Sequence, residues 1–172
     1  DTLESELAHF KQTESSLYFN SGYHANIGII RALLGKSDVI FADKYIHASL
    51  IDGAHLSLAK LFRFKHNDMD SLKKLLNKYD SAKKKMLISE TVFSMDGDEA
   101  PIAELVALSR EYNAFLYLDD AHGAGVYGEL GRGPATEFEG QIDLLLGTFS
   151  KALGSFGAYA RSEEHTSELQ SP

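Results

Sequence analysis

Cysteine is missing from all 172 residues, so a disulfide framework, a thiolate metal site and thiol catalysis are excluded together. Only 3 prolines occur, too few for a polyproline or low-complexity segment. No apolar run reaches the ~20 residues of a membrane span, and the first residues lack a basic-then-apolar targeting pattern. Basic residues are scarce as well: 17 Lys and Arg face 25 Asp and Glu, a formal net charge of -8 that argues against a nucleic-acid partner. The one basic run, Lys83-Lys84-Lys85, reads as a solvated face or a guard on a strand edge. A cysteine-free chain without a targeting signal or membrane segment is compatible with a cytoplasmic protein.

What is present is a regular alternation. The hydrophobic content of 44% is enough for one globular core. Leu3, Leu7 and Phe10 have helical spacing, and Leu17-Tyr18-Phe19 reads as a short strand. Ser21-Gly22 caps a helix that carries Ile27, Ile30, Leu33 and Leu34 and stops at Gly35. A strand at Val39-Ile40-Phe41, a helix over 48–59, a strand over 61–64, a helix over 69–79 and a strand over 86–89 follow. Pro101 is expected at the first position of the next helix, which Ile102, Leu105, Val106 and Leu108 make apolar on one face. Phe115 to Leu118 and Leu144 to Leu146 are apolar throughout, as strands covered on both faces are. The fold expected is α/β, a mainly parallel sheet with helices on both faces. Ligands bind such sheets at the carboxyl ends of the strands.

Polar residues collect at those ends. Lys151 follows the last apolar run and precedes Gly154 and Gly157. Against a desolvated wall a lysine is an amine nucleophile or base; in a glycine-rich loop it is equally an ordinary solvated lysine. Asp119-Asp120-Ala121-His122 ends an apolar strand, and its carboxylates need a cation, a cofactor or a metal, unless they merely cap a turn. Ser21-Gly22-Tyr23 at a helix start suits a phosphate, although many ordinary helices begin this way. His47 suits either a helix cap or a place against an aromatic ligand.

Together, in order and spacing, Asn20-Ser21-Gly22-Tyr23, Asp43 to Ser49, Phe93-Ser94-Met95-Asp96-Gly97-Asp98, Asp119 to Gly123, Gly131-Arg132-Gly133 and Thr148 to Gly154 closely resemble the α-oxoamine synthase family. These are fold-type-I enzymes that use pyridoxal 5'-phosphate. The resemblance implies that residues 1–160 are part of the large cofactor-binding domain of such a transferase. It implies Lys151 as the Schiff-base lysine, Asp119 as the partner of the pyridine nitrogen and His47 against the ring. Ser94 and His122 are implied near the ring hydroxyl, Gly22, Tyr23 and Thr148 at the phosphate, and Glu90 in the same wall. The string from Asp119 to Val126 is most similar to the biotin-pathway branch, which implies L-alanine and a pimeloyl thioester of CoA or a carrier protein as substrates, in a homodimer. A glycine acetyltransferase branch, an Asp119/Asp120/His122 metal hydrolase and a non-catalytic dimerising domain are the competing readings.

Two departures carry expectations of their own. The chain lacks the family's N-terminal segment and C-terminal small domain, which predicts that residues 1–172 alone are inactive. From Arg161 the family pattern stops, and residues 161–172 resemble the conceptual translation of a sequencing adapter, a non-native tail.

Overall fold

Where apolar side chains run without interruption, the chain forms strands sealed on both faces. The computed structural model describes residues 2–138 and 140–162. Strands β2 (Val39–Asp43), β4 (Lys85–Glu90) and β6 (Leu144–Thr148) are buried at every position. β5 (Phe115–Asp119) is buried in all but its first residue. With β1 (Ser15–Phe19), β3 (Lys60–Phe64) and β7 (Ala158–Ser162) they make one seven-stranded sheet in the order β1-β7-β6-β5-β4-β2-β3. β2 through β6 pair in parallel, and β7 runs against both β1 and β6. β1 and β6 therefore share one direction, and the carboxyl ends of six strands meet on a single edge.

The helices close both faces. α2 (Gly22–Leu33) and α3 (Ala48–Ser57) pack together over one face, joining Ile40, Ala42, Ile88, Tyr117 and Leu146 in a shared core. α4 (Met69–Lys78) and α5 (Ile102–Glu111) cover the other through Leu72, Leu76, Leu105 and Val106 against Phe41, Leu87 and Leu116. Side chains alternate between faces along a strand. Glu90, Asp119 and Thr148 thus continue the face that bears α2 and α3, and Asp120 turns to the other. α1 (Thr2–Phe10) packs beside β1.

Some expectations shift. Pro101 is the residue before α5 rather than its first, with ψ at 72° and its carbonyl accepting from Glu104 and Leu105. Lys85 is not a solvated guard: it is buried in β4, and its Nζ donates to the Asp80 carbonyl and carboxylate at 2.8 and 2.9 Å. β7 lay unread in the sequence, because glycines precede it and its burial comes from neighbours on both sides. Of the expected tail, Arg161 and Ser162 complete β7, opposite Ser16 and Ser15 of β1, and residues 163–172 lie outside the described residues.

Candidate active site at the carboxyl edge of the sheet

A pocket opens where β4, β5 and β6 end beneath the first turn of α2. Ser21, Gly22, Tyr23, Asn26, His47 and Ser49 line one side; Glu90, Asp119, Ala121, His122, Thr148 and Lys151 are among those that line the rest. Another cavity, lined by Leu33, Lys84, Phe115 and Asp143, opens at the amino edge, away from these groups. The chain moves from β2 outward to β3 and then returns to the other side of β2 as β4. Such a reversal leaves a crevice at the strand ends. His47, after β2, and Glu90, ending β4, meet across it: the His47 N–H donates to Glu90 Oε1 at 2.6 Å.

α2 starts cleanly because Ser21 caps it, its Oγ accepting from the His24 N–H at 3.2 Å. Gly22 and Tyr23 then supply first-turn N–H groups at the positive end of the helix dipole, aimed at the pocket side. A Cβ on Gly22 would meet nothing nearer than Leu146 Cδ2 at 3.9 Å, so the chain's own packing does not demand glycine there.

Two carboxylates stand side by side, since Glu90 and Asp119 are register partners on β4 and β5. Burial, and then the charge of Asp119, push the Glu90 carboxyl up to about 8. Asp119 is anchored at both oxygens: Oδ1 accepts from the Ala121 N–H at 3.0 Å and Oδ2 from Asn26 Nδ2 at 3.0 Å. Lone pairs remain on each oxygen for one further donor. His47 caps α3, its Nδ1 accepting from the Ser49 N–H at 3.2 Å and lying 2.8 Å from Ser49 Oγ. Burial, and then the Lys151 ammonium, hold the His122 ring below its ordinary range. Thr148 is buried, with its hydroxyl donating to the Gly157 carbonyl at 3.0 Å. Lys151 lines the pocket from an exposed bend, the solvated of the two settings open to it from the sequence.

The structure therefore gathers Gly22, Tyr23, His47, Glu90, Asp119, His122, Thr148 and Lys151 in one place. It does not bring Ser94 there: that residue is exposed in the turn closed by Gly97 N–H to the Phe93 carbonyl. It also separates the ligands of a metal hydrolase. Asp120 leaves the pocket to Asp119 and instead accepts from the Thr91 hydroxyl at 2.5 Å, with Lys11 Nζ at 3.9 Å. Sequence reasoning passed over Asn26, Ser49 and Tyr117, the polar groups that brace Asp119 and His47. A buried asparagine one helical turn after Gly22, on the apolar face of α2, was the available signal.

Fold and site define an α/β protein with a pocket at the carboxyl edge of its sheet, lined by a lysine and a carboxylate. Residues 1–170 match the sequence model of the family described as aminotransferase class I and II, and the chain belongs to that family. It is 53% identical to the 8-amino-7-oxononanoate synthase of Geobacter sulfurreducens over 97% of this chain and 43% of that protein. With the enzyme of the same name from Pelobacter propionicus it shares 54% identity, over 98% of this chain and 44% of the other. Among solved structures, a serine palmitoyltransferase from S. paucimobilis bearing a bound PLP–myriocin aldimine superposes with a TM-score of 0.91 at 37% identity, over 98% of this chain and 43% of that one. The 8-amino-7-oxononanoate synthase from Francisella tularensis gives 0.81 at 36% identity, over 98% and 49%. The α-oxoamine synthase resemblance and the expected fold class are both borne out. The chain spans less than half the length of the curated relatives it matches.

Proposed function

We propose that the protein is a pyridoxal 5'-phosphate-dependent C-acyltransferase that condenses L-alanine with a pimeloyl thioester, releasing the free thiol and carbon dioxide, to give 8-amino-7-oxononanoate. The observation that carries this reading is the convergence of Lys151, the doubly anchored carboxylate of Asp119 and the start of α2 in one pocket. The donor set fits the cofactor. Asp119 has lone pairs for a protonated ring nitrogen, the first turn of α2 offers N–H groups to a dianion, and Gly22 is glycine where the protein itself leaves room for a side chain. Asp119, His47, Gly22, Tyr23, Thr148 and Lys151 would hold it.

Bound there, the cofactor supplies an electron sink for the α-carbon of the amino acid. Asp119 keeps a proton on the nitrogen opposite it, because a buried carboxylate disfavours leaving its partner uncharged. Lys151 Nζ, the amine that lines the pocket, takes the α-proton of the substrate and returns a proton later. Glu90, protonated at neutral pH, adds no second negative charge beside Asp119. Residues 1–160 form part of the large domain of a homodimer that acts in the cytoplasm.

The test is reconstitution of the full-length protein with pyridoxal phosphate. A visible absorption band that borohydride bleaches and Lys151→Ala abolishes is expected, together with condensation of L-alanine and pimeloyl-CoA or a pimeloyl carrier protein. Turnover of glycine with acetyl-CoA, or of serine with palmitoyl-CoA, would move the protein to another branch. The absence of any band would overturn the reading.

A further inference from the structure

One buried amide ties together the two pocket groups from different elements that the chemistry depends on most. Asn26 is 2% exposed on α2, and both its N–H donors and its side-chain oxygen are engaged. Its Nδ2 donates to Asp119 Oδ2 at 3.0 Å and to Ser49 Oγ at 2.9 Å. Its Oδ1 accepts from the hydroxyl of Tyr117, a wholly buried residue of β5 that does not line the pocket. The orientation of the amide follows from its partners. A carboxylate accepts only, so the nitrogen must face Asp119, and the oxygen is left for the one remaining donor. Burial, and then the charge of Asp119, push the Tyr117 hydroxyl well above its ordinary range, so it stays a donor at every working pH. Rotating the amide by half a turn would set its oxygen against the Asp119 carboxylate.

The order of donors continues to the imidazole. Ser49 Oγ, having accepted from Asn26, keeps its own proton for His47 Nδ1 at 2.8 Å. The same nitrogen accepts the Ser49 N–H. An Nδ1 that accepts twice leaves the ring proton of the neutral imidazole on Nε2. Close packing of the helices makes this possible: a Cβ on Gly53 of α3 would lie 3.0 Å from the Asn26 carbonyl and from Ile30 Cδ1, so only glycine lets α3 bring Ser49 this near.

We propose that Asn26, locked by Tyr117, is the positioning residue that fixes the Asp119 carboxylate and, through Ser49, the ring tautomer of His47. The proposal rests on the function assigned above. It concerns two residues that touch neither face of the reacting carbon and act only through their neighbours.

The experiment compares the full-length protein with Tyr117→Phe, Asn26→Ala, Asn26→Asp and Ser49→Ala, loaded with pyridoxal phosphate. Removal of one hydroxyl outside the pocket, in Tyr117→Phe, is expected to lower kcat by about tenfold with KM for the amino acid little changed, as loss of an outer support does at other sites. The pH midpoint of the visible band should move by ~0.5 unit or more, because the charge distribution on Asp119 changes. Asn26→Asp keeps the shape of the residue but places a second carboxylate against Asp119. It should shift the band further than Asn26→Ala, whereas a purely packing role would make the isosteric variant the milder one. In the cofactor-free protein, nitrogen-15 shifts should show His47 Nδ1 unprotonated, and Ser49→Ala should redistribute that proton. Folded Tyr117→Phe and Asn26→Ala proteins with the parental midpoint, kcat and His47 shifts would overturn the proposal alone. A parental protein with no visible band would instead overturn the assigned function, and this inference with it.

Discussion

Glu90 and Asp120 show what burial does to a single acid. Burial, and then Asp119, push Glu90 from an ordinary 4.5 to about 8; burial also takes Asp120 from 3.8 to about 7, against the opposing pull of Thr91 and Lys11. A raised acid binds protons in the folded state that the unfolded chain has already released. Its contribution is complete below the unfolded value and is lost as pH rises through the folded value. The cofactor-free protein is therefore expected to lose thermal stability between about pH 4 and 8, the window set by those two acids. Glu90→Gln keeps an acceptor for the His47 N–H and removes one of the two titrations. Stabilities of the pair should converge below about pH 4 and separate above pH 8 in favour of the variant, by on the order of 1–3 kcal/mol, read as a shift in melting temperature. Equal melting curves at every pH would count against a buried neutral Glu90. His66 adds to the same trend. Burial works against its charge, but Asp43 at 2.9 Å and Asp98 at 2.7 Å, one on each ring nitrogen, outweigh it and raise the ring above its ordinary range. Its stabilising charge is present at low pH and fades as pH climbs through that raised value, so a proton-NMR titration should find His66 still protonated above 6.5.

At the scale of the element, the α2–α3 contact decides whether the pocket exists. Gly53→Ala would put a methyl group 3.0 Å from the Asn26 carbonyl and 3.3 Å from Ile27 Cα, both backbone atoms that cannot turn aside. Overpacking of this kind costs about 1–3 kcal/mol. Chemical denaturation of the cofactor-free protein should show that loss, and the affinity for pyridoxal phosphate should fall further than for a stability-matched change on α4. Most elements were legible in the sequence because their signals are local. Val39-Ile40-Phe41 and Leu144-Leu145-Leu146 are apolar runs of the kind only doubly covered strands tolerate, and Ser21 and Asp68 announce the helices they cap. β7 was not legible, since Ala158-Tyr159-Ala160-Arg161 carries no period of its own and becomes a strand by filling the gap between β1 and β6. Gly147 shows that dependence. A Cβ there would lie 2.3 Å from the ring of Tyr159, so β6 keeps a glycine to admit a residue of its neighbour.

Over the whole molecule, the site was legible wherever a motif sits at a strand end and illegible wherever a long-range partner gives a residue its meaning. Asp119 and Lys151 could be picked out by position along the chain, whereas Tyr117 reads as one more core aromatic until Asn26, 91 residues away, is placed against it. Ser94 is the opposite case: its motif is plain in the sequence, and the structure places it in an exposed turn outside the pocket lining. The loops beside the pocket raise the remaining question of what covers them. Gly125 lies so close to Leu153 that a Cβ would be 3.2 Å from its Cδ2, and Gly131 packs on Gly125, so Val126, Leu130 and Leu153 belong to one surface. There Leu130 is 80% exposed, and Phe156 on the neighbouring loop is 84% exposed, while the strands beneath them are sealed. Large apolar groups left this exposed are the mark of an interface. The proposed homodimer would bury this surface against a second copy. Sedimentation of the full-length protein should give twice the monomer mass, and Leu130→Asp combined with Phe156→Asp should give the monomer with weakened cofactor binding, since both changes sit beside Lys151 in sequence or across the packed loops. A parental protein that sediments as a monomer while turning over substrate would overturn the assignment of these loops to a second subunit.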